Sequence, residues 1–204
     1  LTECSPGLSF NLPGVGKKAG SVGRLMKKIE GRTLDPDTHE ILHESKAGLL
    51  SFKGPNIFSG YLNNPEQTKE VLSDDGWFIT GDLGRMDEDG FLFIEGRLAR
   101  FSKIGGEMVS HQSVEDMIAE VLSMTGHPNE EIICAVTGIT DEGKGERLVL
   151  LSTVEVDSQW IGEQLRNKGV PNLWIPKQIK KVQEIPVLGT GKLDLRKLKE
   201  LAGT

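Results

Sequence analysis

Short apolar runs separated by glycine and proline dominate the first half of the chain. Residues 48–54 (GLLSFKG), 77–80 and 91–94 each have the length and apolar character of a β-strand. Residues 87–90 (DEDG) lie between the last two runs and form a turn of the Asp-Gly type, so we expect a hairpin there. The pattern predicts a β-rich unit over residues 1–96.

Helix signals are sparse before residue 97 and frequent after it. In the first part, Asn64 can cap a short helix that has Pro65 in its first turn and runs through Leu72. In the second part, Ser110 can cap a helix with one buried face. The apolar positions of that helix recur at i, i+3, i+4 and i+7: Val114, Met117, Ile118, Val121 and Leu122.

Strands and helices alternate through the rest of the chain. The expected elements are strands over residues 132–137, 147–154 and 177–182 and helices over residues 158–167 and 195–201. Gly169 suits a left-handed C-terminal cap for the first of these helices, and Asp194 can cap the second. The whole pattern predicts an α+β fold with two domains, residues 1–96 and residues 97–204.

Charge and hydropathy exclude two classes of partner. The formal net charge of −6 argues against a nucleic-acid surface, because phosphate binding needs clustered Lys and Arg. No apolar run approaches the ~20 residues that span a bilayer, so we expect a soluble, cytoplasmic chain without a membrane segment. A local basic cluster near the end could still bind an acidic partner, or form a solvated helix face: Lys192, Arg196, Lys197 and Lys199.

Cysteine and histidine usage gives no metal site. Cys4 and Cys134 are too few and too far apart for a disulfide framework, which favours a reducing compartment, and we expect both to be buried as small apolar residues. The histidines lack metal-ligand spacing and are assigned to surface or turn positions: His39, His43, His111 and His127. Because the chain begins with neither Met nor a leader, we interpret it as a piece of a longer protein.

Two short acidic motifs in the β-rich part have the chemistry of a nucleotide site. Thr2-Glu3 places a hydroxyl beside a carboxylate, which could hold a phosphate oxygen and Mg²⁺. Thr80-Gly81-Asp82 puts a carboxylate directly after a predicted strand, where it could accept hydrogen bonds from a ribose diol. The alternatives are a solvated turn for the first motif and a turn-forming aspartate for the second.

Two basic motifs lie at the predicted domain junction and near the end. Residues 96–107 (GRLARFSKIGGE) place arginines and a lysine near paired glycines, which could grip phosphate or ribose; a solvated basic loop is the alternative. Residues 186–192 (PVLGTGK) carry the glycine-flanked Lys192 just before a helix. They depart from the GxxxxGK[ST] pattern of a phosphate loop, so we interpret Lys192 as a mobile lysine delivered to a site elsewhere.

Taken in order, these motifs resemble the adenylate-forming ligase superfamily, which includes acyl-coenzyme A synthetases, firefly luciferase and peptide-synthetase adenylation domains. The matching segments are Thr2-Glu3 with the family's YGxTE, residues 48–61 with GEL…GP…GY, residues 77–83 with TGD, residues 96–103 with GRxDxxIK, and residues 189–192 with GxGK. The resemblance implies that residues 1–96 are a distorted barrel-like subdomain of a large AMP-binding domain. It also implies that residues 97–204 are a mobile lid with a hinge near residues 98–100.

The resemblance further implies a two-step reaction. In that family a carboxylate attacks the α-phosphate of ATP with loss of pyrophosphate, and a thiol then takes the acyl group from the adenylate. Lys192 would be the catalytic cation of the first step. After rotation of the lid about Ala99, where the family usually has Asp or Lys, Lys103 and the turn at Gly105 and Gly106 would serve the thiol step. The implied ATP or AMP contacts are Thr2, Glu3, Asp82 and Arg97, with Glu3 also holding Mg²⁺.

Two stretches narrow the resemblance. Residues 103–110 (KIGGEMVS) and 186–199 (PVLGTGKLDLRKLK) are similar to the synthetase half of the bacterial 2-acylglycerophosphoethanolamine acyltransferase/acyl-acyl-carrier-protein synthetase family. This similarity favours a fatty acid substrate and the phosphopantetheine thiol of acyl carrier protein as acceptor. It also favours a bifunctional lysophospholipid acyltransferase whose full-length form lies at the cytoplasmic face of the inner membrane.

Two alternatives stay open. One is a coenzyme A ligase of the same superfamily, and the other is a non-catalytic module whose basic last helix docks an acidic carrier protein. The family's triphosphate loop and acyl pocket precede the position of Leu1. We therefore expect the N-terminal remainder of the same polypeptide to be the main partner, and the isolated chain to be inactive.

Overall fold

Two compact units make up the chain. The structure is a computed structural model, and it describes residues 1–14, 16–43, 45–124 and 132–203. The units are Leu1–Leu98 and Ala99–Thr204, so the division lies two residues after the boundary expected from the sequence pattern. Each unit has its own apolar core, and the α+β class predicted from the sequence is confirmed.

The first unit is built on an antiparallel sheet that curls into half a barrel. Its elements are β1 (Ser9–Phe10), β2 (Gly23–Leu25), β3 (Glu30–Leu34), β4 (Gly48–Lys53), α1 (Pro65–Val71), β5 (Phe78–Met86) and β6 (Phe91–Arg97). The strand order is β1-β2-β6-β5-β4-β3, and every neighbouring pair is antiparallel. The predicted hairpin is present as β5 and β6, with Gly90 at a φ of +78° in the turn.

Strand β5 does not end at Thr80, so the prediction that Asp82 follows a strand is wrong. The strand continues to Met86 through a bulge, in which residues 80–82 of β5 lie opposite Leu50 of β4. Gly81 takes a φ of +74°, a conformation that side chains other than glycine rarely adopt. Bulges of this kind redirect a side chain within a sheet, and here the redirected residue is Asp82.

A cluster of buried apolar side chains packs in the core of the first unit. Leu50, Phe52, Phe78 and Leu92 are at most 2% exposed and pack together with the buried Cys4. Burying one such leucine or phenylalanine contributes about 1.5–3 kcal/mol. The core fixes the two strands that carry the bulge.

The predicted short helix of the first unit is confirmed. Asn64 caps α1, because its side-chain oxygen accepts a hydrogen bond from the backbone N–H of Gln67 at 3.2 Å, and Pro65 occupies the first turn.

The second unit packs helices on a small sheet. Its elements are β7 (Phe101–Ile104), β8 (Glu107–Ser110), α2 (His111–Ser123), β9 (Cys134–Asp141), β10 (Gly145–Ser152), α3 (Ser158–Asn167), β11 (Gln178–Lys181) and α4 (Leu195–Gly203). The strand order is β11-β10-β7-β8, and β9 also pairs with β10. The β10 and β11 pair is parallel and the others are antiparallel.

The helices of the second unit follow the sequence signals closely. Ser110 caps α2 by accepting from Ser113 N, and Asp194 accepts from Lys197 N ahead of α4. Gly169 follows α3 at a φ of +79°, as expected for a left-handed cap. Within the described ranges, no helix has the length and apolar character needed to cross a bilayer.

Strands β9 and β10 form a hairpin that the sequence did not predict, and both strands are displaced from the expected ranges. The pair extends to Asp141 and Gly145 because a tight turn closes it. The Asp141 carboxylate accepts from the N–H groups of Gly143 and Lys144 at 3.0 and 3.1 Å, and Gly145 takes a φ of +80°.

The assignment of all four histidines to surface or turn positions is wrong for His111. His111 is 2% exposed, and its Nε2 lies 2.9 Å from the hydroxyl of Ser102. This residue opens α2 on the face that packs against β7, which periodicity alone could not show. His39 and His43 are exposed as expected, and His127 lies outside the described residues. Both cysteines are buried free thiols, as predicted.

Candidate nucleotide and lysine sites

Asp82 and Arg97 form an ion pair across β5 and β6. The two residues are register partners, and Arg97 Nε lies 2.7 Å from Asp82 Oδ1. The aspartate side chain is 15% exposed and the arginine side chain is 57% exposed. A largely buried carboxylate therefore faces an arginine that a ligand can reach.

The bulge at Thr80 holds Asp82 in this position. The Thr80 hydroxyl donates to Leu50 O at 3.1 Å and accepts from Asp82 N at 3.0 Å. Arg97 also donates to Thr80 O at 3.4 Å. The backbone around the carboxylate is thus tied to both neighbouring strands.

Glu3 and Tyr61 add a second acidic group on the same unit. The Tyr61 hydroxyl donates to Glu3 Oε1 at 3.0 Å, and Phe58 N donates to Glu3 O at 2.8 Å. Thr2 lies in the same single helical turn, Thr2–Cys4, and is exposed. The sequence analysis assigned Tyr61 no role, although this residue ends the matched segment 48–61. The only sequence signals for its contact with Glu3 are its position after Gly60 and the length of its side chain.

Glu3, Tyr61, Asp82 and Arg97, which we call the acidic cluster, influence one another electrostatically. Burial raises the pKa of Asp82 and the nearby Glu3 raises it further, while the Arg97 guanidinium opposes the rise. Burial also raises the pKa of Tyr61, and its hydrogen bond to Glu3 adds to the effect. The structure therefore brings together three of the residues predicted for nucleotide binding: Glu3, Asp82 and Arg97.

Glu3 has the chemistry expected of a ligand for Mg²⁺. One carboxylate oxygen of Glu3 accepts a hydrogen bond from the Tyr61 hydroxyl, and this contact orients the whole carboxylate. Mg²⁺ is usually bound by one or two carboxylates together with substrate phosphates. In the described part of the chain, no group of three His, Cys, Asp or Glu side chains could hold a metal ion.

An apolar cavity of about 670 Å³ adjoins the acidic cluster within the first unit. Asp82 lines it together with apolar side chains from β1, β4, β6 and the adjoining loops, including Leu8, Phe10, Met26, Leu92 and Ile94. Phe10, Met26 and Ile94 are 52%, 43% and 44% exposed. The cavity places an apolar wall beside the buried carboxylate.

Lys192 lies in the second unit, on a tight hairpin that precedes α4. Val187 and Leu193 pair across the hairpin, Leu188 N donates to Lys192 O at 2.7 Å, and Gly191 N donates to Leu188 O at 2.8 Å. Gly191 takes a φ of +80° in the turn. Lys192 is exposed, and among the described residues no acidic side chain pairs with its ammonium.

Lys103, Gly105 and Gly106 share a different hairpin of the second unit, formed by β7 and β8. Lys103 is exposed and lies opposite Met108. Its backbone N–H donates to Glu146 Oε2 at 2.7 Å. Gly105 and Gly106 make the turn with φ values of +59° and +91°. The predicted hinge residue Ala99 is exposed in the single helical turn Leu98–Arg100, directly after the division between the units.

Sequence comparisons match almost the whole chain to larger enzymes. No protein-family model matches it. It is 33% identical over 205 residues to 4-coumarate–CoA ligase 1 of Arabidopsis thaliana, 32% over 205 residues to the long-chain-fatty-acid–CoA ligase of Salmonella typhimurium, and 31% over 205 residues to luciferin 4-monooxygenase of Photinus pyralis. These alignments cover 97%, 99% and 98% of this chain but 35%, 35% and 36% of the relatives. The chain therefore spans about a third of the length of the curated relatives it matches.

Solved structures give the same result for the fold. ATP-bound MatB from Rhodopseudomonas palustris matches with a TM-score of 0.71 and 30% identity over 95% of this chain and 38% of that one. An anthranilate CoA ligase in complex with anthranoyl-AMP matches in fold with a TM-score of 0.72, at 24% identity over 100% of this chain and 38% of that one. The fold is that of the C-terminal part of acyl-CoA synthetase-like enzymes. The chain belongs to the adenylate-forming superfamily, which contains the acyl-CoA ligases and the luciferases.

Proposed function

We propose that this chain is the C-terminal part of an ATP-dependent ligase that joins a fatty acid to a pantetheine thiol through an acyl-adenylate. In the first step a carboxylate oxygen attacks the α-phosphorus of ATP and pyrophosphate leaves. In the second step a thiolate attacks the acyl carbonyl and AMP leaves. Support comes from the superfamily membership and from MatB and long-chain-fatty-acid–CoA ligase among the related proteins.

The observation that carries the proposal is the Asp82 and Arg97 pair at the bulge of β5. Asp82 is held by backbone bonds and presents carboxylate oxygens that suit a ribose diol, while the exposed Arg97 can contact the same ribose or a phosphate. Thr2 would contact the α-phosphate. Glu3 would hold Mg²⁺, which supplies charge neutralisation for the nucleotide phosphates when it is bound.

Two lysines of the second unit, Lys192 and Lys103, would serve the two steps separately. Lys192 has an exposed side chain directly after the turn of a backbone-bonded hairpin, so it can place positive charge against the reacting carboxylate and α-phosphate. Lys103 and the turn at Gly105 and Gly106 would serve the thiol step, where glycines allow a pantetheine arm to pass close to the backbone. Ala99 would be the hinge between the two arrangements.

The thiol acceptor is the finer part of the proposal. We favour acyl carrier protein, within a bifunctional lysophospholipid acyltransferase, because residues 103–110 and 186–199 resemble that synthetase family. The relatives named as CoA ligases support coenzyme A as the alternative acceptor. A competition assay with the complete polypeptide, palmitate, ATP and equal concentrations of the two acceptors would distinguish them; preferential acylation of coenzyme A would overturn the choice of carrier protein.

The test of the proposed function is substitution of Lys192 in the complete polypeptide. We expect Lys192→Ala to lower ATP–pyrophosphate exchange in the presence of a fatty acid by about 100-fold or more, as for loss of one group that stabilises transition-state charge. Lys177→Ala removes another exposed cation and serves as the matched control, with exchange unchanged. Equal exchange in the Lys192→Ala variant and the wild type would overturn the proposal.

Docking of an acidic carrier protein is the second candidate function, and the charge distribution favours it. Residues 177–200 contain seven Lys and Arg against three Asp and Glu, a local net charge of +4 in a chain whose total is −6. Arg196 is 90% exposed on α4, although it pairs with Glu200. Charge reversal at Arg196 and Lys197 should weaken carrier-protein binding and leave ATP–pyrophosphate exchange intact if this surface docks the carrier.

A further inference from the structure

Two buried polar contacts tie the first strand of the second unit to helix α2. Arg100 ends the helical turn Leu98–Arg100, directly before β7, and Ser102 lies in β7; their partners Glu115 and His111 lie four residues apart on α2. A spacing of four places Glu115 and His111 on one face of the helix. The two contacts therefore hold residues 100–102 against one face of α2, and we call them the β7 anchor.

Arg100 and Glu115 form the stronger part of the β7 anchor. Arg100 Nη2 makes an ion pair with Glu115 Oε2, and the two side chains are 12% and 10% exposed. Arg100 Nη1 donates to Val136 O at 3.2 Å, while Val136 N donates to Glu115 Oε1 at 2.6 Å. The arginine, the glutamate and the β9 backbone thus close a ring in which both charges are satisfied.

Ser102 and His111 extend the anchor toward the turn of the β7 and β8 hairpin. Ser102 is 1% exposed and His111 is 2% exposed, with 2.9 Å between Oγ and Nε2. Lys103 is the next residue along the strand, so its side chain points to the opposite face, where it is exposed. The orientation of Lys103 therefore depends on what holds the buried face of β7.

The position of the β7 anchor in the chain limits where the backbone can rotate between the two units. Ala99 is the first residue of the second unit, and Arg100 is the second. Because Arg100 is fixed to α2 and β9, backbone torsions that change between the units have to be taken up before it, at Leu98 and Ala99. A buried ion pair of this kind adds little net stability over a packed apolar pair. Here its contacts with α2 and β9 hold the Arg100 side chain in one place.

We propose that Arg100 and Glu115 are positioning residues for the thiol step. They confine the hinge rotation to the residues up to Ala99, and they fix β7 so that Lys103 keeps one orientation. This inference rests on the proposed two-step function. It assigns neither residue a contact with substrate. Loss of the anchor should therefore act on the second half-reaction and spare the first.

The test replaces the pair by apolar residues of similar size in the complete polypeptide, as Arg100→Met with Glu115→Leu, because removing both charges avoids an unpaired buried ion. We expect acyl-adenylate formation, measured by ATP–pyrophosphate exchange, to stay within about twofold, and thioester formation to fall about 10-fold or more through misplaced geometry. Arg100→Lys, which keeps the cation beside Glu115, should recover part of the rate. Lys168→Met with Glu120→Leu removes an exposed ion pair that also involves α2 and should leave both half-reactions unchanged.

Two outcomes would overturn the proposal: an equal fall in both half-reactions of the apolar double variant, or no fall in either. Failure of the proposed function itself is distinguishable, because then the wild-type protein would show no exchange. Hydrogen exchange on the wild type tests the anchor without any substitution. The amides of residues 101–104 should be protected like those of α2 while those of residues 98–99 exchange fast, and equally fast exchange at residues 101–104 would refute it.

Discussion

The hydroxyl of Tyr61 lies 3.0 Å from a carboxylate oxygen of Glu3, although 58 residues separate them in the chain. The same tyrosine ring packs edge-on against Phe58 at a centroid distance of 4.9 Å. One side chain therefore orients the carboxylate proposed for Mg²⁺ and also belongs to the apolar surroundings of the first unit.

Substitution of Tyr61 by phenylalanine separates these two contributions. The ring contact with Phe58 stays and only the hydrogen bond to Glu3 is lost, so we expect the free energy of unfolding to fall by about 1 kcal/mol. Tyr61→Ala removes both and should cost more. Urea titrations of the two variants measure the difference; a Tyr61→Phe protein as stable as the wild type would show that the hydrogen bond contributes nothing.

Substitution of Gly81 by alanine tests the bulge that directs Asp82. The added Cβ would meet no atom closer than Arg97 Nη1 at 4.0 Å, so the expected cost of about 1–2 kcal/mol comes from the positive φ alone. Gly90→Ala is the matched control, because Gly90 has a φ of +78° and open space around it. Both variants should lose similar stability by thermal unfolding, but only Gly81→Ala should weaken nucleotide binding in the complete polypeptide. Equal nucleotide affinity in the two variants would argue against a role for the bulge.

The buried His111 should make stability depend on pH. Burial lowers the pKa of His111 from 6.5 to about 3, with the nearby Arg100 adding to the effect. Between these two values the unfolded chain binds a proton that the folded chain does not, so stability rises with pH through this window and is lost on acidification. The slope from this group is at most about 1.4 kcal/mol per pH unit.

Replacement of His111 by glutamine should flatten that part of the profile. The difference in unfolding free energy between wild type and His111→Gln, measured by urea titration from pH 4 to 8, should be constant above pH 7 and shift in favour of the variant below it. Acidic groups that titrate in both proteins cancel in this difference. A difference independent of pH would mean that His111 is protonated alike in the folded and unfolded states.

The two cysteines should be unreactive in the folded protein. Burial raises the pKa of Cys4 to about 11 and that of Cys134 to about 12, so both are thiols rather than thiolates near pH 8 and are covered by the core. A thiol-reactive dye should label the native chain slowly, and two groups should react at once in denaturant. Rapid labelling of the native chain at either position would contradict the buried placement.

Local signals predicted the helices well. The apolar spacing of α2, the caps at Asn64 and Ser110, and the glycine at 169 act within a few residues of the element they define. The strands were harder to predict from the sequence. Strands β1 and β2 are two and three residues long, and β7 and β8 flank a turn inside a segment that looked like a basic loop, so partners distant in sequence decide whether they form.

The candidate site was only partly predictable, because local sequence signals give residue types but not contacts between distant residues. Glu3, Asp82 and Arg97 were predicted as site residues because their residue types occur in a recognisable order, and the structure adds the contacts that this order cannot give. Asp82 pairs with Arg97 only because β5 carries a bulge, and Tyr61 reaches Glu3 only through the folded path of the chain. His111 was misplaced because a polar residue at the start of a helix gives no local sign that the neighbouring strand will cover it.

The burial of both native thiols has a practical consequence for watching the joint at Ala99. A cysteine introduced at an exposed position such as Lys177 would be the sole readily modified sulfur in the described part of the chain, without prior removal of Cys4 or Cys134. A fluorophore attached there, paired with a second probe on the first unit, would test whether the proposed rotation about Ala99 takes place during turnover.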